Sequence, residues 1–216
     1  MLSRSGYVVE DRPVDVPANR QALIELGYLS VPVVEVAGRA FPGFPLRSLT
    51  VNLGLARARF SPKATVRTLG SSLDALEIVS GLLTELPPAM WSEQAYPLQP
   101  GRDHTFGHFV WGMFRFLELT LSAPQRGGLL WEELQDSVQV SDWRSAARYQ
   151  SFADVGDYAQ PLLVRGRRWQ NSLAAEEMRA PLTTPWGALE LHVLIGILAE
   201  HTDIKRTHLL KRLGRM

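Results

Sequence analysis

The chain has 216 residues, 45% hydrophobic and 21% charged, with a formal net charge of +1; it reads as an ordinary folded protein with no global field favouring nucleic acid or membrane. Cysteine is absent, which excludes disulfides, thiolate nucleophiles and thiolate metal sites, so a metal has to be held by His, Asp or Glu and a thiol has to arrive with a substrate. No apolar stretch approaches the roughly 20 residues of a membrane span, and MLSRSGYVVEDRP lacks a signal-peptide core, so a cytoplasmic location is expected.

Residues 1–55 have α/β character. Tyr7-Val8-Val9 predicts a short strand, and Pro17 to Leu26 a helix, with Pro17 in its first turn and Gly27 at its left-handed cap. Val33 to Val36, Ala37-Gly38 and Arg39 to Phe41 predict a tight hairpin, and Pro45 to Leu53 a short closing helix. The phrase LGYLSVPVVEVAGRAFPGFPLRSL resembles the second half of a glutaredoxin or NrdH-type redoxin, a partial thioredoxin fold. The resemblance implies that Ser30-Val31-Pro32 is the cis-proline loop, with the backbone at Val31 and Pro32 forming a groove for a peptide-like thiol. It also implies that Pro42-Gly43-Phe44 is the turn before the last helix. The first strand, the Cys-x-x-Cys loop and most of the first helix of that family are missing, so the strand near Val8 lacks its usual partner. It is expected to move beside Val33–Val36 or to leave a gap for another chain; the alternative is a natural start upstream of Met1.

Residues 56–68 (ARARFSPKATVRT) read as a polar linker and residues 69–216 as helical. Ser71 or Ser72 is expected to cap a helix that ends at Pro87-Pro88. Asp103 is expected to cap the next, with Pro124 just beyond its end. Leu129 to Val138 suggests a connecting helix, Phe152 to Trp169 a weaker one interrupted by Gly156, Pro161 and Gly166, and Trp186 to Leu213 the longest. Four main helices with long connections predict a four-helix bundle, making the fold mainly α with a small α/β N-terminal module.

Four of the five histidines fall on two of these helices. His104 and His108 are i, i+4, the spacing at which a helix offers two imidazoles to one metal. Leu194, Leu198, His201, Lys205 and His208 share a face of the last helix. The blander readings are a solvated first-turn His104, a His208 belonging to the cationic C-terminal end, and a buried or interfacial His192.

The phrases LDALEIVSGLLTELPPAMWSE, PGRDHTFGHFVWGMFRFLELTL and WGALELHVLIGILAEHTDIKRTHLL are similar in layout to the DinB/YfiT-like superfamily over residues 70–213. That resemblance implies a four-helix bundle that in many members holds a divalent metal through one His on the second helix and an H-x-x-x-H pair on the last, several activating a low-molecular-weight thiol for S-transfer. Carried over, His201 falls on the first of the pair, but Lys205 stands at the second and Gly112 at the second-helix ligand. Lys205 and Gly112 are thus degenerate ligand positions. An ammonium has no lone pair to give.

The expected function is therefore that of a DinB-like relative of metal- and thiol-dependent S-transferases with a degenerate metal site, no cofactor, and a binding or accessory role. Its expected partners are a low-molecular-weight thiol and, since the last helix is apolar on more than one face from Ala188 to Ala199, a second copy of the chain. The alternative enzyme reading keeps a displaced zinc or nickel ion at His104, His108 and His201 to activate a thiol. A third reading, nucleic-acid binding through Arg165, Arg167, Arg168 and the basic C-terminus, has a solvated helix face as its simpler explanation.

Overall fold

The computed structural model describes residues 8–26, 33–42, 49–51, 53–54, 60–95, 105–130, 133 and 149–215. The structure is mainly helical with two small antiparallel hairpins. Its contacts divide it into two units, Met1–Arg59 and Phe60–Met216. Among the described residues no helix is long and apolar enough to cross a membrane.

In the first unit, α1 spans Pro17–Glu25, opened by Pro17 in the first turn, where its missing N–H costs nothing. Strands β1 (Val33–Val36) and β2 (Arg39–Pro42) pair antiparallel, with Val34 opposite Phe41. The turn falls on Ala37 and Gly38, both at positive φ (50° and 73°), the left-handed pair that matches strand twist. Of the strand expected at Tyr7–Val9, Tyr7 lies outside the described residues, Val8 and Val9 form no ladder, and Val8 is fully exposed. Val8 to Glu10 do not join the β1–β2 sheet. Val31, Pro32, Gly43 and Phe44 lie outside the described residues.

Among its described residues the second unit holds four long helices. α2 spans Pro62–Leu82, so the second half of the stretch read as linker is helical. The cap is Ser61, whose Oγ accepts from the Ala64 N–H, rather than Ser71 or Ser72, which lie in the helix interior. A 3₁₀ turn at Leu83–Glu85 ends it before Pro87, and another follows at Pro88–Ser92. α3 spans Phe106–Arg126, capped by Thr105, whose Oγ1 accepts from His108 N–H; Asp103 lies outside the described residues. It runs through Pro124, contrary to expectation, and ends at the left-handed Gly127. In the last turn a proline removes only one intrahelical bond. Of the connecting helix expected at Leu129–Val138, Leu129 and Leu130 are not helical, and most of the rest lies outside the described residues.

α4 spans Phe152–Ser172, unbroken at Pro161 and capped by Ser151. After a one-turn α5 (Ala175–Met178), Pro181–Thr184 (β3) and Gly187–Glu190 (β4) form a second hairpin, and α6 runs Leu191–Arg212. The expected helix start at Trp186 is therefore wrong: that residue lies in the hairpin turn, which the Thr184 hydroxyl closes by donating to Gly187 O at 2.7 Å. Leu182 and Leu189 are buried on the hairpin's inner side. Gly127 and Leu129 pair with Thr183, fixing the hairpin to the end of α3.

α2 packs on α4 and α6, and α3 packs on the same two, closing a cycle of four helices. Its core holds Leu69, Leu73, Leu76, Phe106, Phe109, Phe114 and Met113, all fully buried. Each such side chain contributes roughly 1.5–3 kcal/mol by leaving water. Leu191 and Val193 to Leu198 are buried within the chain.

Candidate functional site: the histidine and lysine seam of the last helix

His201, Lys205 and His208 follow one another at single-turn spacing on α6, and all three pack against α3 or the segment before it. The His201 ring meets Phe116 edge-on, with centroids 4.8 Å apart. Lys205 Nζ donates to the Phe109 carbonyl at 3.4 Å and sits 5.0 Å from the centre of that residue's ring. The His208 ring is 5.3 Å from Phe109, and its Nε2 lies 2.8 Å from the Ala95 carbonyl, which requires Nε2 to carry the proton. As α6 advances, its partners run backwards along α3, so the two helices are antiparallel along a seam of aromatic rings and cations.

His201 is the sealed member. Part of the residue reaches the surface, but Nδ1 is enclosed and has no hydrogen-bond partner among the described residues. Burial, and secondarily the Lys205 charge, push its pKa well below the usual histidine range. It is a neutral imidazole at physiological pH.

His108 lies elsewhere. It is buried on α3 with its ring 5.5 Å from Trp111. Trp111, Arg115 and Glu118 continue that stripe toward α4, where Tyr158 donates to Glu118 Oε2 at 2.6 Å and Arg115 pairs with the same carboxylate. Tyr149 stacks between Trp111 and Tyr158. Burial and Glu118 push the Tyr158 pKa up, and Glu118 holds Arg115 raised against the opposing effect of burial. His108 precedes Phe116, the contact of His201, by eight residues, roughly 12 Å along the axis at about 1.5 Å per residue. Side chains on one helix lean the same way, so their tips keep that separation. Two imidazoles on one zinc have nitrogens each about 2.0–2.1 Å from the ion. The structure does not bring His108 and His201 together on that scale.

Gly112 is buried on α3 and offers no ligand atom, and His104 lies outside the described residues. Among the described residues no three His, Asp or Glu side chains converge to hold a metal ion. His192 is the enclosed histidine expected, packed on Phe60 at 5.2 Å with Nδ1 3.1 Å from Glu190. The arginines considered for nucleic acid are mostly spent between helices. Arg165 donates to Leu121 O, and Arg167 forks onto Glu77 and also pairs with Asp74, which raise its pKa further.

Sequence reasoning missed the Arg115–Glu118–Tyr158 cluster. Its signal was an opposite-charge i, i+3 pair inside an otherwise apolar helix. The chain matches no family model, no characterised protein and no solved structure.

Proposed function

We propose that the second unit is a DinB-like four-helix bundle related to metal- and thiol-dependent S-transferases, with an emptied metal site and a binding or accessory role toward a small thiol or a protein partner. The observation that carries this reading is Lys205, whose ammonium lies between α6 and α3 against the Phe109 carbonyl, one turn from His201. An ammonium contributes no lone pair. Two unit charges 4 Å apart repel by about 4 kcal/mol at an effective dielectric near 20, and a divalent ion doubles that. One neutral imidazole beside a fixed cation is a poor seat for zinc or nickel. The cycle of four helices and the single-turn spacing of His201 and Lys205 support the bundle reading. The thiol-binding part of the same proposal rests on the resemblance of the sequence around Val31 and Pro32 to a redoxin.

The test is metal analysis of protein purified without a histidine tag. The expected result is no zinc or nickel above trace in the wild type, and no change on His201→Ala. Stoichiometric metal that disappears on His201→Ala would overturn the reading in favour of an active metal enzyme.

A further inference from the structure

A second feature, at the start of α2, points to a ligand of its own. The first two turns of α2, Leu173 and α5 border an open, shallow groove of about 530 Å³ lined by Pro62, Lys63, Val66, Arg67, Leu173 and Met178. That is within the size range of small-molecule sites, roughly 300–1,000 Å³. Its floor is apolar: Leu173 and Met178 are buried and Val66 is half-buried. Its rim carries two exposed cations one helical turn apart, Lys63 and Arg67.

The two cations of this groove have no carboxylate partner among the described residues, a condition shared with the exposed Arg168 and Lys211. Elsewhere Arg12, Arg115, Arg126, Arg167, Arg206, Arg212 and Arg215 each pair with a carboxylate. Of the two acids in α5, Glu177 accepts the Trp169 indole N–H at 2.9 Å and Glu176 is exposed. The partial positive charge of the first turn of α2 adds to theirs. A nucleic acid fits poorly, because two cations are few for a phosphate backbone and the apolar floor would go unused.

We propose that this groove binds a medium-chain aliphatic carboxylate. The carboxylate lies between the Lys63 ammonium and the Arg67 guanidinium, and the chain lies along Val66, Leu173 and Met178. The Arg67 fork matches a carboxylate's two oxygens, and each methylene laid on the floor adds hydrophobic burial. The site is independent of the His201 seam and stands whether or not a metal binds there.

The experiment is a titration of the full chain with decanoate, followed through the methyl signal of Met178, one of five methionines, assigned with Met178→Leu. The expected result is a saturable shift that weakens about tenfold with decanol, which lacks the charge. The double substitution Lys63→Glu/Arg67→Glu should weaken decanoate binding by about tenfold or more, while Lys63→Arg/Arg67→Lys leaves it within about twofold. Added salt on the wild-type protein should weaken decanoate but not decanol. Absence of saturation, equal binding of decanol, or insensitivity to both charge reversal and salt would each overturn the proposal.

Discussion

His201 combines a sealed Nδ1, an edge-on contact with Phe116 and a cation one turn away, and these set how the protein responds to acid. Its folded pKa lies below the ordinary value of 6.5, so the unfolded chain binds a proton more readily than the folded one. The stability tied to this group is therefore complete above pH 6.5 and is lost as pH falls from there toward the folded pKa. Melting temperature should fall more steeply between neutral pH and about pH 5 in the wild type than in His201→Gln, which cannot titrate there. Equal slopes would show that His201 is not sealed in solution. Since Lys205 is the second cause of the shift, Lys205→Met should move the His201 titration upward in a histidine-resolved NMR experiment. The alignment of His201 and Lys205 on one face was legible from their four-residue spacing. Their partners Phe116 and Phe109 were not, because which ring meets which side chain depends on the register of two helices far apart in sequence.

At the scale of elements, local chemistry was legible where it was self-contained. Ala37-Gly38 after the valine-rich Val33–Val36 predicted the first hairpin, which pairs antiparallel across that turn. The second hairpin was missed because Ala188 to Glu190 are good helix formers, and what holds them as a strand is remote. Thr183 N–H donates to Gly127 O, and Leu129 N–H to Thr183 O, each at 2.9 Å. A Cβ at Gly128 would lie 1.9 Å from Thr183 O, with only backbone to yield. Gly128→Ala should therefore cost about 3 kcal/mol in chemical denaturation, whereas Gly127→Asn, at an ordinary left-handed cap, should cost under about 1 kcal/mol. The early start of α2 was missed because Ser61-Pro62 sits in a basic, polar stretch; its cap signature is nonetheless local. Ser61→Ala should cost about 1 kcal/mol by the same measurement.

At the scale of the molecule, the mainly helical character followed from apolar periodicity, and the division of contacts at Arg59–Phe60 falls inside the stretch read as linker. The four-helix cycle has its own core, so residues 60–216 alone should retain helical circular dichroism and unfold cooperatively; a non-cooperative melt would show that the core needs the first unit. What decides function across the whole chain is whether the seam between α3 and α6 is a metal site or a closed interface in which Lys205 occupies the cation's place. The most direct measurement is a calorimetric zinc titration of the wild type beside Lys205→His, which restores an i, i+4 imidazole pair with His201. The expected result is no specific zinc binding by the wild type and one-site binding by Lys205→His that disappears when His201→Ala is added. Zinc binding by the wild type as tight as by Lys205→His would contradict it.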